Sequence, residues 1–176
     1  MINMKKIGIG ILGILLVATT FFSGCIQTET GTLVLLITDK PGDLNISSAL
    51  VTLSSIEVHK ASTGNNTSAM WMMVVQEAQT YDLIQLRNVK ELLGSTNLST
   101  GKYTQIRLHI DDAQITINNT DYELEIPSET IKLVSGFWIN ESQTTTLTLD
   151  FDVNESVHRT GSDKYILQPT IKIIKD

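Results

Sequence analysis

Apolar and polar residues alternate with a period of two along most of the chain after residue 30. The clearest run covers residues 144–153, where Leu147, Leu149 and Phe151 alternate with threonine and aspartate. This period is that of a strand with one face toward a core and the other toward water. Further strands are predicted at residues 32–38, 49–58, 71–76, 81–86, 106–117, 122–126, 131–134 and 165–174. Turns roughly every ten residues predict an all-β fold, an antiparallel β-sandwich with transthyretin- or immunoglobulin-like Greek key topology.

The alternation changes phase at two places, between Leu53 and Ile56 and between Ile110 and Ala113. A shift of one residue turns every later side chain to the other face of a sheet, so a β-bulge or a change of sheet is predicted at each place. Residues 118–121 separate two strand patterns and predict a hairpin. The strand at residues 32–38 is apolar on both faces, which is typical of a central strand.

One short helix is predicted near residues 88–93. Asn88 is a suitable N-cap, and Glu91 follows it by three residues as in a capping box. Leu92 and Leu93 would then face inward, and Gly94 would end the helix.

The first 24 residues resemble an export signal that ends before the only cysteine. Lys5 and Lys6 precede an uncharged run of 16 residues, 7–22, and Ser23-Gly24 lead to Cys25. This pattern predicts cleavage before Cys25 and lipidation of that residue, a tether at residues 25–30 and a β-sandwich domain at residues 31–176. The expected location is the outer face of the cytoplasmic membrane. An uncleaved transmembrane anchor is the alternative, although a span needs about 20 residues.

Charge and cysteine content narrow the possible partners. The chain has a formal net charge of −6, and loss of the signal would leave 11 basic against 19 acidic residues. An acidic surface disfavours nucleic acid and polybasic docking to anionic lipid. With Cys25 lipidated, the domain would have no disulfide, so packing alone would stabilise it. The expected partners are the membrane, through the lipid, and a surface protein or glycan.

Asn-x-Ser/Thr sequons are unusually frequent and include seven of the ten asparagines. They predict an N-glycosylated surface protein, because each falls where a loop or strand end is expected. The alternative is that Asn, Ser and Thr all favour turns and therefore occur together. The candidate acceptors are Asn45, Asn65, Asn66, Asn97, Asn118, Asn140 and Asn154.

Four segments resemble the family called domain of unknown function 4382. They read GTLVLLITDKPGD from residue 31, YDLIQL from 81, GKYTQIRL from 101 and YILQPTIK from 165. The resemblance covers residues 31–174 and implies exported archaeal and bacterial surface proteins, often lipid-anchored. It supplies no activity and no catalytic residue. The Gly-x-Tyr-Thr turn at residue 101 is also similar to transthyretin-like modules, which serve as stalks or adhesion units; this is an analogy of fold.

No catalytic residue is assigned from the sequence. The three histidines, His59, His109 and His158, are scattered and lie in no metal-binding motif, and no phosphate loop or nucleophile elbow occurs. A site assembled across loops would be visible only in the fold, so an enzyme of that kind stays an alternative.

Two weaker patterns suggest binding sites, and each has a structural alternative. Asp39 and Asp43 bracket a Pro-Gly turn and could supply oxygen ligands to calcium, or simply form the turn. Trp138 follows Phe137, so if Phe137 faces inward on a strand, Trp138 faces outward as a ligand contact. The run 70–75 is the candidate surface for docking of a partner if it lies at a sheet edge. The function predicted is therefore a non-catalytic binding or structural module at the cell surface, with a calcium- or carbohydrate-binding module as the alternative.

Overall fold

Two β-sheets face each other across a core of aliphatic and aromatic side chains. The computed structural model describes residues 29–40, 45–62, 70–161 and 164–176. The first sheet has the order β12-β9-β1-β5 and contains β1 (Thr30–Asp39), β5 (Glu91–Ser99), β9 (Thr144–Phe151) and β12 (Ile171–Lys175). The second sheet contains β2 (Ile46–Lys60), β3 (Met70–Val75), β4 (Gln79–Asp82), β6 (Gly101–Ile117), β7 (Thr120–Glu125), β8 (Thr130–Ile139), β10 (Val157–Arg159) and β11 (Tyr165–Leu167).

The all-β, sandwich-like fold expected from the alternation is confirmed. The sheets are mixed, however, because β1 pairs with β9 and β7 pairs with β11 in parallel, while the other pairs are antiparallel. Long intervening segments separate the members of both parallel pairs, and a parallel pair requires such a crossover. The strand that is apolar on both faces, β1, lies inside the first sheet between β5 and β9, as predicted for a central strand.

The two long strands β2 and β6 form the spine of the second sheet, and both predicted phase changes are β-bulges. Thr52 pairs with Asp112 and Leu53 with Ile110, so Asp111 is the extra residue on β6. The next pair leaves out Ser54 on β2. Because one bulge on each strand compensates the other, the side chains on both sides of the bulges face the same core. The residues that stay buried are Ala49, Val51, Leu53, Ile56 and Val58 on β2 and Ile106, Leu108, Ile110, Ala113 and Ile115 on β6.

The predicted hairpin is present between β6 and β7. Asn118 and Asn119 have φ values of 49° and 62°, the left-handed region that a two-residue turn of type I′ requires. Asparagine tolerates this region better than other residues with a Cβ. Ile117 pairs with Thr120 directly across the turn.

The prediction of a helix near residues 88–93 is wrong. Asn88 lies in a turn with φ 61°, and the chain from Glu91 is the strand β5, paired along the edge of β1. Leu93 is buried, whereas Leu92 is 54% exposed. The local capping pattern does not decide the structure, because eight residues of β5 pair with β1 and the strand buries Leu93 and Leu98. An isolated helix of six residues is too short to be stable by itself.

Among the described residues, the helix is α1 (Val153–Ser156). The alternation predicts that its first residue, Val153, belongs to the preceding strand. Asp152 is its N-cap and accepts a hydrogen bond from the Glu155 backbone N–H at 3.2 Å. The predicted strand at residues 165–174 is also divided, into β11 of one sheet and β12 of the other. Pro169 lies between them, and proline has no N–H to donate to a ladder.

Several predictions concern residues outside those described. They are the signal at residues 1–24, the lipidated Cys25, Asp43, Asn65 and Asn66. Within the described ranges, no helix is both long enough and apolar enough to cross a membrane.

The start of β1 is enclosed by the loop between β8 and β9, and this predicts the effect of enlarging Gly31. A Cβ at Gly31 would lie 2.1 Å from the Asn140 carbonyl oxygen and 2.9 Å from that of Gln143. We expect Gly31→Ala to reduce the free energy of unfolding by about 1–3 kcal/mol, because backbone must move to admit the methyl group. Urea denaturation measures this change. Gly161→Ala is the control, since nothing lies within 4 Å of its Cβ position; equal effects at both sites would contradict the prediction.

Candidate functional site

The outer side of the second sheet carries a cluster of aromatic, apolar and cationic side chains where β3, β2, β6 and β8 lie side by side. The alternate residues of these strands, such as Ile56, Ile106 and Phe137, are buried in the core. Since successive side chains of a strand point to opposite faces, the residues between them point outward. We call this surface the Trp71 face; it consists of Glu57, His59, Trp71, Met73, Lys102, Gln105, Arg107, Lys132, Val134 and Trp138.

Strand register arranges most of these residues in two rows that each cross all four strands. One row is Trp71, His59, Gln105 and Val134. The next row is Met73, Glu57, Arg107 and Lys132. Strands lie about 4.8 Å apart, so a row of four residues spans about 14 Å. Lys102 and Trp138, paired with each other, extend the surface toward the start of β6.

Trp71 is held by two neighbours on this surface. The Arg107 guanidinium carbon lies 3.6 Å from the centroid of the indole ring, a cation–π contact. The His59 ring packs against the indole with centroids 4.8 Å apart, and His59 Nδ1 is 3.0 Å from the Thr104 hydroxyl oxygen. The indole is thus in contact with both a cation and an aromatic ring on this surface.

The cations of the Trp71 face lack partners of opposite charge. Among the described residues, Arg107, Lys102 and Lys132 form no ion pair, and the Arg107 Nε atom is buried without a hydrogen-bond acceptor. Because the Nε atom is buried, its missing hydrogen bond costs free energy in the folded protein, but the atom is not accessible to a ligand. The charge of the face is thus that of three cations and of Glu57, which pairs with Arg107 across β2 and β6.

Trp138 is oriented as the sequence predicts. It is 59% exposed, whereas the preceding Phe137 is 4% exposed and stacks on Tyr103 in the core. Val134 on the same strand is 83% exposed. Contact of Trp138 with a ligand remains a prediction. The run 70–75 forms β3, whose described partner is β2, and Met70 and Met73 are exposed on it.

The three histidines lie apart. His59 is on the Trp71 face, His109 contacts the Thr130 hydroxyl at 3.2 Å, and His158 is exposed on β10. Within the described residues, no group of three histidine, cysteine or acidic side chains could hold a metal ion.

Asp39 lies at the buried end of β1 rather than in an exposed turn. Its carboxylate accepts hydrogen bonds from Arg87 Nε at 3.2 Å and from the Val153 backbone N–H at 3.1 Å, and it thereby connects β1 to the start of α1. Burial raises the pKa of Asp39 above its usual value, while both hydrogen bonds and the Arg87 charge act in the opposite direction. Both oxygens are engaged within the protein, and Asp43, the other proposed calcium ligand, lies outside the described residues. Calcium binding by this pair remains a prediction.

The five described sequons lie outside the strands of the Trp71 face. Asn45 precedes β2, Asn97 is on β5, Asn118 is in the β6–β7 turn, Asn140 follows β8 and Asn154 is in α1. Of these, Asn154 is partly buried, and the other four are exposed. Glycans at these positions would border the Trp71 face but would not originate on it.

A second concave surface, of about 620 Å³, lies beside β7 and β11. Tyr122 and Tyr165 meet there with ring centroids 4.9 Å apart, among Asp121, Glu123 and Glu125. Lys164 is the one basic residue among the residues that line it, so this surface is acidic, in contrast to the Trp71 face.

With this fold and surface in view, comparison with known proteins gives the family. The chain belongs to the family described as Domain of unknown function (DUF4382), whose model matches residues 30–169. No curated protein matches the chain. A leucine-rich repeat protein from Bacteroides thetaiotaomicron is 17% identical over 72% of this chain, with a TM-score of 0.25. This chain spans 14% of that protein, and the likeness is too low to bear on fold or function.

Sequence reasoning singled out Trp138 and the run 70–75, which contains Trp71 and Met73, but not the cations of the Trp71 face. Arg107 and Lys132 were not predicted as parts of a binding surface. A signal was present: Arg107 alternates with the buried Ile106 and Leu108, and Lys132 with Ile131 and Leu133. The pairing that brings these strands together could not be inferred from alternation alone.

The Asp39–Arg87 pair predicts a difference between two neighbouring substitutions. We expect Asp39→Ala to lower the free energy of unfolding by about 3 kcal/mol or more, because it leaves a largely buried guanidinium and the Val153 N–H without an acceptor. The control is Lys40→Ala: the Lys40 Nζ–Asp152 contact is also short, at 3.1 Å, but the lysine side chain is 63% exposed, and little change is expected. Chemical denaturation compares them, and similar losses would contradict the prediction.

The raised pKa of Asp39 predicts the pH dependence of stability. Above pH 3.8, the usual pKa, the folded state holds this proton more tightly than the unfolded state. The contribution of Asp39 to the free energy of unfolding therefore falls as pH rises from 3.8 to the folded pKa. Asp39→Asn removes this titration. We expect the free energy of unfolding of the wild type, minus that of the variant, to decrease as pH rises through this interval; a constant or increasing difference would refute the assignment.

Proposed function

We propose that this protein is a lipid-anchored module on the outer face of the cytoplasmic membrane that binds a ligand through the Trp71 face and performs no catalysis. The observation that carries the binding role is the exposed combination of Trp138, Val134 and Met73 with unpaired cations. Exposed apolar side chains that lie together on one surface mark interaction sites more often than scattered ones. Aromatic and arginine side chains are also the residues that most often dominate binding energy.

The anchoring part of the proposal is supported by the sequence. Cys25 follows an uncharged run and two small residues, and four residues separate it from Thr30, where β1 begins. At about 3.5 Å per residue, this tether holds the start of β1 within roughly 18 Å of the lipid. The ligand would then be part of the cell surface near the membrane. One lipid chain anchors only marginally, so stable anchoring would need a second chain on the cysteine.

Export of wild-type and Cys25→Ser chains from the native cell tests both parts. We expect the wild type to partition into detergent. Cys25→Ser, exported with a conventional cleavable secretory signal in place of residues 1–24 so that its leader is removed without lipidation, is expected to leave the detergent phase because it lacks the lipid. Cys25→Ser is further expected to stay bound to intact cells through the Trp71 face and to be released when Trp138→Ala is added. Immunoblots of cells, detergent phase and medium measure each fraction.

Val89→Ala in the Cys25→Ser background is the matched control, because Val89 is 54% exposed but lies in the turn before β5. Recovery of residues 1–24 on the wild-type chain in the detergent phase, read from its intact mass, would instead support the uncleaved anchor. Release of Cys25→Ser into the medium with Trp138 intact would contradict the binding role at this surface.

A further inference from the structure

We propose that the ligand of the Trp71 face is an anionic polysaccharide. This inference rests on the proposed binding role of that face and adds the chemistry of its ligand. It is argued from the local charge, the exposed apolar surfaces, the flat shape of the face and the positions of the sequons.

Charge is separated on this protein in a way that its composition does not show. The chain as a whole has a net charge of −6. The strands of the Trp71 face have the opposite balance of charge. Glu57 is the single carboxylate in β3, β8, residues 55–60 of β2 and residues 101–110 of β6. The same segments contain four cationic residues, Lys60, Lys102, Arg107 and Lys132. Lys60 donates to Ser99 at 2.7 Å, whereas the other three cations have no acidic partner among the described residues. An anionic ligand would find its counter-charges here and repulsion over much of the remaining surface.

The apolar residues of the face suit the carbon–hydrogen surfaces of sugar rings. The indole of Trp138 lies beside Lys102, its partner across β6 and β8, and Val134 lies beside Gln105. Each pair places an apolar surface next to a group that can hydrogen-bond, at the cross-strand separation of about 5 Å. A sugar ring that carries an acidic group presents the same two chemistries side by side.

The shape of the face favours an extended chain over a small molecule. The side chains lie on the outside of a sheet whose rows are about 14 Å wide, not in an enclosed cavity. Small molecules usually bind in concave pockets that bury most of their surface. A polymer can instead make repeated contacts along an open surface, and weak contacts add through multivalency.

Two other anionic classes fit less well. A nucleic acid duplex would bring dense charge close to the many carboxylates outside the face. An acidic peptide would satisfy the cations but would leave the exposed indole and Val134 without matching apolar surface. The strands of the face also hold none of the described sequons, so a polysaccharide could lie along them even if all these sites were glycosylated.

Binding of the detergent-solubilised full chain to three immobilised polymers tests the proposal. The probes are polygalacturonate, which has sugar rings and carboxylates, dextran, which has rings without charge, and polyglutamate, which has carboxylates without rings. We expect polygalacturonate to bind, more weakly as salt is raised because charges are screened, and the other two to bind at least about tenfold more weakly. Biolayer interferometry measures the affinities, and a sulfated dextran reports whether the anionic group must be a carboxylate.

Two substitutions connect binding to the Trp71 face. Trp138→Ala is expected to weaken polygalacturonate binding about tenfold, and Lys132→Gln about two- to fivefold. Lys172→Gln is the matched control, because Lys172 is an exposed strand lysine on the other sheet, opposite Asp150. Both test residues are exposed, so the variants should fold as the wild type does.

Each remaining outcome overturns the proposal in a recognisable way. Polyglutamate binding as tight as polygalacturonate would indicate charge alone and an acidic protein as the partner. Equal binding to dextran would remove the role of the cations. If no polymer binds while Cys25→Ser remains attached to cells through Trp138, the binding role stands and the polysaccharide inference fails; if that attachment is also absent, both fail.

Discussion

The pairing of β2 with β6 is the interaction on which the rest of the structure depends. These strands, of 15 and 17 residues, are bordered by β3 and β4 on one side and by β7 and β8 on the other. A continuous pairing of this length would strain against the natural twist of a sheet, and the bulges at Ser54 and Asp111 relieve that strain locally. Because these two bulges compensate each other, the pairing on either side of them buries the same face of the sheet and leaves Glu57, His59 and Arg107 on the Trp71 face.

Arg87 and Arg107 have different roles in this fold. Arg87 is paired with the buried Asp39, where loss of either partner would leave a charge in a poorly solvated site. Arg107 is instead stacked on Trp71 at the surface and has no carboxylate partner among the described residues. The first arrangement fixes the junction of β1 and α1, and the second places a cation on the Trp71 face. One arginine thus serves stability, and the other belongs to the proposed binding surface.

Much of the fold followed from the alternation of residues, including most of the strands, both bulges and the Asn118 turn. The strand predicted at residues 81–86 was wrong from residue 83 onward, where the chain forms a turn after β4. The failures occurred where a non-local partner outweighed a local pattern. Residues 88–93 contain helix signals, but the chain from Glu91 pairs with the edge of β1 and forms the strand β5. The Trp71 face was equally hidden, since Trp71, Arg107 and Lys132 are on three different strands and only the register brings them together. Trp138 could be found because its orientation depends on its neighbour Phe137 alone.

The negative charge of the whole chain and the positive charge of the Trp71 face would act on a ligand over different distances. The width of a ligand would therefore affect how well it binds to the face. At physiological ionic strength charges are screened within about 8 Å, a length comparable to the separation of neighbouring rows and strands. A thin polymer lying along the face would therefore interact mainly with Arg107, Lys132 and Lys102. A wide polyanion would extend beyond the face and meet acidic surface such as that around Asp121, Glu123 and Glu125. In the proposed binding, the carboxylates outside the face would therefore add selectivity by repelling ligands that are too broad, while the face itself would supply the attraction.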